Sequence, residues 1–140
     1  MRQIVNALLL HNGQILLARR SQERAAYPGL WSFPGGHVEE QEALMEALIR
    51  ELREEIGIVP CESHLITSIQ DANVTSEPAT YHLYAVRSWE GVPAIQDREH
   101  SELRWFTIAE AVKLPDLALH EYRAVFLALL QSESNGIGTL

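Results

Sequence analysis

Three glutamates in one short segment could hold a divalent cation between them. Glu51, Glu54 and Glu55 lie one, three and four positions apart, and positions three and four apart are neighbours on an α-helix. Carboxylates brought together in this way repel one another, and hard cations such as Mg²⁺ and Mn²⁺ relieve the repulsion because they prefer oxygen ligands. The chain has one cysteine and no His-x-x-x-His pair, so a zinc site is not expected. The spacing therefore predicts a site for magnesium or manganese.

The helix that must carry these glutamates is predicted over residues 42–56, with Gly57 at the position of a C-terminal cap. At about 100° per residue, one arc of this helix is apolar and faces a core: Leu44, Met45, Leu48, Ile49, Leu52 and Ile56. The opposite arc, expected in solvent, holds Glu46, Arg50 and Arg53. Glu55 falls inside the apolar arc, about 20° from Leu44. Solvation does not explain a carboxylate that faces inward. This helical-wheel arrangement therefore favours a functional role for the glutamates over an ordinary charged surface.

The composition indicates one globular domain. The chain has 140 residues, of which 46% are hydrophobic and 21% charged, and it lacks an apolar run near the roughly 18 residues of a membrane span. Nineteen acidic against eleven basic residues give a net charge of −8, which disfavours a general nucleic-acid binder. The single cysteine, Cys61, excludes an internal disulfide, so a cytoplasmic location is expected. We expect one domain over residues 1–130 and a flexible tail over residues 131–140, and we read Cys61 as a small buried apolar residue.

The remaining pattern predicts strands interspersed with helices. Asn12-Gly13 between two apolar runs is typical of a hairpin, and Pro34-Gly35-Gly36 ends a short strand before the helix. Strands are predicted at residues 4–10, 14–19, 31–33, 62–73, 80–88 and 103–106. Further helices are predicted at residues 108–114 and 117–130. This order indicates one sheet with helices packed on it.

The segment from Gly36 to Ile58 resembles the Nudix box. Gly36 is followed by five residues, Glu42, seven residues and then Arg-Glu-Leu-Arg-Glu-Glu-Ile-Gly-Ile at residues 50–58. Every fixed position of that signature is filled. The order of the predicted elements also looks like the Nudix fold, an α/β/α sandwich around a mixed β-sheet.

The resemblance implies a hydrolase, dependent on Mg²⁺ or Mn²⁺, that cleaves diphosphates linked to another group, often nucleoside derivatives. It implies that the metal ligands are Glu51, Glu54, Glu55 and the backbone carbonyl of Gly35. The box positions with structural or orienting roles are Gly36, Glu42, Arg50 and Gly57. One departure is Gln41, where many members have glycine; we expect a changed turn and intact chemistry.

The resemblance also implies candidates for proton transfer and substrate contact. Glu51 is one candidate for the general base, and family members often use a glutamate from a later loop, which indicates Glu99, Glu102 or, more weakly, Glu77. Arginines near Arg19 and Arg20 often touch substrate phosphates in the family. An aromatic residue on the strand entering the box, Trp31 or Phe33, could stack on a base.

The substrate is the least determined feature. A short member most often cleaves a nucleoside triphosphate, including damaged ones, to the monophosphate and pyrophosphate. The chain also resembles the coenzyme A-cleaving subgroup at Leu16–Ser21, Gly29 and residues 33–36. That subgroup has an arginine at the position of Ala25, whereas this chain has its arginine one position earlier, at Arg24. The proline of the ADP-ribose subgroup is absent near residues 73–74.

A different class, a Nudix-fold binding module without catalysis, is disfavoured because no box glutamate is missing. The expected partner is a small nucleotide or nucleoside diphosphate derivative. We expect no binding to nucleic-acid polymers or membranes, and a homodimer is left open.

Overall fold

A computed structural model describes residues 2–25, 27–71 and 78–134. Its elements in chain order are β1 (Arg2–His11), β2 (Gln14–Arg20), β3 (Trp31–Ser32), β4 (Gly35–His37), α1 (Leu44–Ile56), β5 (Val59–Asp71), β6 (Ala79–Glu90), β7 (His100–Thr107), α2 (Ile108–Val112) and α3 (Tyr122–Ser134). The described residues form two compact units. The first holds the chain up to Leu9 together with Phe33–Arg98, and the second holds Leu10–Ser32 together with the residues from Glu99 onward.

The first unit contains a mixed β-sheet. Within it, β1 runs parallel to β6 and antiparallel to β4, and β5 lies antiparallel to β6. Residues Ile4–Leu10 of β1 are all buried, as expected for a strand with neighbours on both sides. Helix α1 packs against β4 and β5, so the sheet directly supports the helix that carries the glutamates.

Helix α1 has defined ends that follow from its sequence. At the start, the Glu46 carboxylate accepts a hydrogen bond from the Ala43 amide at 2.8 Å, which satisfies a donor left open at a helix N-terminus. At the end, Gly57 adopts a left-handed φ of 71° and donates to the carbonyl of Arg53. Glycine takes this conformation without steric cost. The helix begins two residues later than the periodicity predicts.

The second unit is built on an antiparallel sheet. Strand β2 pairs with β3 on one side and with β7 on the other. The last residues of β1 join it through a hairpin at Asn12 and Gly13, whose φ values of 50° and 74° fit the primed turn expected for Asn-Gly. Helices α2 and α3 pack on each other, and α2 also contacts β2 and β7.

Helix α3 begins at Tyr122, five residues later than predicted. Before it, Leu117 forms an isolated bridge with Trp31, in which the Trp31 amide donates to the Asp116 carbonyl at 2.9 Å and the Ala118 amide donates to the Trp31 carbonyl at 2.8 Å. These bonds to β3 compete with the helix and delay its start. None of the helices in the described residues combines the length and hydropathy needed to cross a membrane.

Strand β5 is an edge strand with most of its side chains exposed. Cys61 lies on this strand and is exposed, so the prediction of a buried cysteine is wrong. The physical reason is the position of the strand: β5 lies at the end of the strand order and pairs only with β6 among the described strands, so many of its side chains stay open to solvent. Leu65 on the same strand is also exposed, at 48%.

Candidate active site

The glutamate-bearing face of α1 turns one carboxylate inward. Glu55 is 3% exposed and lies among the buried side chains of the helix, including Leu52 and Ile56. Glu51 is half-buried and Glu54 is exposed. The predicted inward orientation of Glu55 and the predicted exposure of Glu46 are both confirmed. A buried carboxylate requires hydrogen bonds or a cation to offset its lost hydration.

The glycine turn approaches this face. The Gly35 amide donates a hydrogen bond to Oε2 of Glu55 at 3.2 Å. A Cβ at Gly35, whose φ is 151°, would collide with the carbonyl oxygen of Val5, and a Cβ at Gly36 would collide with the Glu51 carboxylate. The two glycines therefore make room for the β1 backbone and for Glu51. The segment is also a short strand, β4, where the sequence predicted only a turn.

Arg50 joins the carboxylates of the box. Its guanidinium binds Glu42 through two hydrogen bonds of 2.7 and 2.9 Å, Glu51 at 2.9 Å and Glu54 at 3.3 Å. It also donates to the His37 carbonyl at 2.9 Å. The wheel placed Arg50 in solvent, which is wrong, because these contacts leave its side chain only 25% exposed. Arginine suits this place because its planar fork binds a carboxylate at two points.

The ion pairs and burial shift the titration of two box glutamates in opposite directions. Hydrogen bonds from Arg50 and from the Glu39 amide lower the pKa of Glu42 to about 2. Burial raises the pKa of Glu51, and the Glu54 charge adds to this, whereas hydrogen bonding to Arg50 and Glu55 acts in the opposite direction. A carboxylate with a raised pKa is suited to accept a proton near neutral pH.

Asp97 is a site residue that the sequence did not reveal. One of its carboxylate oxygens lies within 4.8 Å of a carboxylate oxygen of Glu55, and both of its carboxylate oxygens are buried. The chain reaches this place because the Gln96 amide donates to the Glu55 carbonyl at 2.7 Å and the Ala94 amide donates to the Ile56 carbonyl at 3.1 Å. No local pattern around Asp97 predicts those long-range bonds.

These side chains fit a divalent cation. Carboxylate oxygens are hard ligands, and Glu55 and Asp97 bring theirs within 4.8 Å of each other, so one ion could bind both. Glu51 and Glu54 lie on the same helix as Glu55. Gln41, the departure from the usual box, has a left-handed φ of 64°. That is the conformation glycine favours, so the structure gives no sign of the changed turn that the sequence suggested.

The second unit holds most of the residues predicted to contact substrate. Arg19 donates to the Gly29 carbonyl at 3.1 Å and lies 3.6 Å from Asp116, while the Arg20 amide bonds the Leu30 carbonyl. Trp31 is buried, and the guanidinium groups of Arg19 and Arg104 lie 5.5 and 5.3 Å from its ring centre. Those contacts already cover the ring. Phe33, in the first unit, is also buried.

The predicted general bases of the later loop have partners within the second unit. The Glu99 carboxylate lies 3.4 Å from Arg24. Glu102 lies on β7, rather than in a loop, and pairs with Arg104. Glu77 lies outside the described residues. Among the predicted bases within the described residues, burial raises the pKa of Glu51, which lies on the same helix as Glu55.

Known proteins resemble the whole of this fold. A model of the NUDIX domain matches residues 1–130. The CTP pyrophosphohydrolase of Escherichia coli K12 is 36% identical over 113 residues, 81% of each chain. Nucleoside triphosphatase NudI of E. coli O139:H28 is 43% identical over 68 residues, 49% of this chain and 45% of NudI. A MutT Nudix hydrolase from Burkholderia pseudomallei aligns with a TM-score of 0.79 at 28% identity, over 89% of this chain and 95% of that one.

The fold and the family match define a hydrolase that acts on pyrophosphate bonds, because a mixed sheet with helices packed against it matches a Nudix hydrolase structure and the relatives are named as a pyrophosphohydrolase and a nucleoside triphosphatase. The chain belongs to the Nudix family. The family, the fold class and the enzyme class predicted from the box are confirmed. Members of this family generally use divalent metals, and the acidic cluster around Glu55 suits one.

Proposed function

We propose that this protein hydrolyses a nucleoside triphosphate to the monophosphate and pyrophosphate in a reaction that depends on Mg²⁺, for which Mn²⁺ can substitute. The observation that carries the proposal is the inward Glu55 carboxylate, which is bound by the Gly35 amide and lies near Asp97. The relatives named as a CTP pyrophosphohydrolase and a nucleoside triphosphatase support a nucleotide as the substrate. The proposal includes damaged or non-standard nucleotides.

Residues of the first unit would bind the cation, accept a proton and position the carboxylates. Glu51, Glu54, Glu55, Asp97 and the Gly35 carbonyl would hold the cation, which neutralises phosphate charge and lowers the pKa of bound water. Oε1 of Glu51 is bound by Arg50, so Oε2 is the atom that would bind the cation or, where the other ligands hold the cation, accept the proton of the attacking water. Arg50 keeps the carboxylates in place.

Substrate contacts are proposed for the second unit and for Phe33. The guanidinium groups of Arg19 and Arg20 would bind phosphate oxygens, as arginine does elsewhere. One of Trp31 and Phe33 was predicted to stack on the base; because both are buried, such stacking would require that side chain to become exposed on binding. Glu99 and Glu102 remain alternative bases, each of which would have to leave its arginine partner.

A product-resolved screen tests the proposal. The protein is incubated with Mg²⁺ and separate ribonucleotides, deoxynucleotides, oxidised nucleotides, coenzyme A and ADP-ribose, and the products are separated by ion-exchange chromatography. We expect monophosphate and pyrophosphate in equal amounts, abolished by EDTA and restored by excess Mg²⁺. Release of inorganic phosphate from triphosphates would contradict the proposed bond, and activity that survives EDTA would contradict the metal.

Two alternatives are outcomes of the same screen. Cleavage of coenzyme A in preference to triphosphates would assign the protein to the coenzyme A-cleaving subgroup suggested by Arg19 and Arg20. Absence of turnover with every compound, together with nucleotide binding by calorimetry, would indicate a binding module. All three box glutamates are present, which favours catalysis.

The cellular setting is proposed on the same basis. We propose a cytoplasmic enzyme with a small nucleotide as partner. The acidic net charge of −8 argues against nucleic-acid polymers and anionic membranes as partners, whereas a bound cation would offset the repulsion of a small nucleotide. A homodimer would be compatible with the exposed edge strand β5. Light scattering coupled to gel filtration decides between the monomer and the dimer.

A further inference from the structure

A buried asparagine lies behind the glycine turn. Asn6 is 5% exposed and occupies the middle of β1, where Ile4, Val5, Ala7 and Leu8 are also buried. Asparagine is depleted in strands, and a buried polar group without a partner is costly. Within the described residues, Oδ1 of Asn6 accepts no hydrogen bond. An apolar residue would avoid that cost, so retention of asparagine calls for a specific reason.

The amide nitrogen of the same side chain supplies that reason. Nδ2 of Asn6 donates to the carbonyl oxygen of Phe33 at 3.0 Å, and the next backbone amide along β1, that of Ala7, donates to the Pro34 carbonyl at 2.8 Å. Asn6 also lies directly opposite Gly35 in the β1–β4 register. Two consecutive residues of β1 therefore hold the two carbonyls that precede Gly35, one through the backbone and one through a side chain.

A continuous path of contacts runs from Asn6 to the buried glutamate. Phe33 is fixed by Asn6, Gly35 follows two residues later, and the Gly35 amide binds Oε2 of Glu55 at 3.2 Å. Gly35 also packs closely on β1, because a Cβ there would overlap the Val5 carbonyl oxygen. A small movement at Phe33 would therefore move the Gly35 amide relative to Glu55.

We infer that Asn6 is a positioning residue: it fixes the Phe33–Gly35 turn so that the Gly35 amide holds the Glu55 carboxylate in its reactive orientation. Asn6 acts through Phe33 and Gly35 and does not itself contact the reacting groups. The kinetic consequence of this inference rests on the proposed function, whereas the effect on the Gly35 amide does not. Groups that orient a metal-ligating carboxylate typically change metal affinity or activity by about 10–100-fold when removed.

The test replaces the donor while keeping the size. Asn6→Leu removes the bond to Phe33 but retains the number and branching of the side-chain heavy atoms, and Asn6→Ala, which is smaller, serves if the leucine variant does not fold. Val86→Ala is the matched control, because Val86 is fully buried on β6 and far in sequence from the turn. Amide hydrogen exchange at Gly35 is measured by NMR in metal-free protein, and Mn²⁺ affinity is measured by calorimetry without nucleotide.

We expect Gly35 exchange to accelerate at least about 10-fold in Asn6→Leu and the Mn²⁺ dissociation constant to rise by a similar factor. In Val86→Ala, which loses stability through a cavity, Gly35 should exchange no faster than the neighbouring β-sheet amides. Wild-type exchange at Gly35 and wild-type Mn²⁺ affinity in a folded Asn6 variant would overturn the inference. Failure of the proposed function would be seen separately, as a wild-type protein that hydrolyses no triphosphate.

Discussion

The amide nitrogen of Gly35 lies 3.2 Å from Oε2 of Glu55, a residue twenty positions further along the chain. This bond joins the glycine turn to the glutamate-bearing helix within one compact unit. It gives the buried carboxylate a fixed partner in the protein itself, which means that its orientation does not depend on a bound ion. The other carboxylates of the box are held differently, by the guanidinium of Arg50.

Glu55→Gln should lower kcat by about 10²–10³-fold while the fold persists. Glutamine is nearly the same size and its carbonyl oxygen can still accept the Gly35 amide, but it lacks the negative charge that a cation needs. Steady-state kinetics and thermal unfolding of the variant test this. Glu46→Gln is the matched control, because Glu46 is exposed on the same helix and glutamine can still cap the Ala43 amide. A comparable loss of rate in the control would show that the helix face is wrongly assigned.

Gly36→Ala should lower kcat by about 10²-fold, the loss expected when a reacting group is displaced by about 1 Å. The added Cβ meets the end of the Glu51 side chain, which can rotate away, so the loss of stability should be small. Gly13→Ala is the control. The added Cβ would meet no neighbouring atom, but the φ of 74° at this position is unfavourable for alanine. That variant should lose about 1–2 kcal/mol of stability at an unchanged rate. Equal rates in both variants would contradict the role of Gly36.

Stability in acid should depend on Glu42. Its pKa falls from 4.5 when unfolded to about 2 when folded, through hydrogen bonds from Arg50 and the Glu39 amide. A lowered pKa contributes stability that is fully present above about pH 4.5 and is lost as the pH falls towards 2. Urea unfolding from pH 6 to pH 3 should therefore show a smaller pH dependence in Glu42→Gln than in the wild type. Glu40→Gln, at an exposed position of the same loop, should retain the wild-type slope.

His82 should produce a second pH dependence, nearer neutrality. Burial lowers the pKa of His82 below its ordinary value of 6.5, so the unfolded chain binds a proton more readily than the folded one. The contribution of His82 is then complete above pH 6.5 and decreases as the pH falls below it. The melting temperature should drop from pH 7.5 to pH 5.5 less steeply in His82→Gln than in the wild type. His64→Gln, at an exposed position of β5, should melt with the wild-type slope.

Local patterns in the sequence predicted the parts of the site that lie on one element. The 3.6-residue period placed Glu55 inward, Gly57 marked the helix end and Asn12-Gly13 marked the hairpin, because each depends on neighbouring residues alone. Asp97 could not be predicted, since it reaches Glu55 through backbone bonds from Ala94 and Gln96 to the end of α1. Backbone bonds between distant residues produce no periodic pattern in the sequence.

Two further differences have the same origin. Cys61 was predicted to be buried because free cysteine usually behaves as a small apolar core residue, yet it is exposed on β5 at the sheet edge. The start of α3 was predicted five residues early. The helical pattern from Leu117 does not reveal that the Trp31 backbone forms hydrogen bonds with Asp116 and Ala118. In both cases the outcome depends on how strands distant in the sequence are arranged. The residues around Cys61 and Leu117 do not themselves determine it.

The edge position of β5 also affects how the protein behaves at high concentration. A long exposed edge offers free main-chain groups on which another chain can add a strand, and this is a common route to aggregation. Here Pro60 and register shifts at Pro60/Glu62, Glu62/Ser63 and Leu65/Thr67 interrupt the regular ladder. Irregularities of this kind keep an edge from matching a straight partner strand. The uneven ladder therefore favours solubility, and a variant that straightened it would be more prone to form intermolecular sheets.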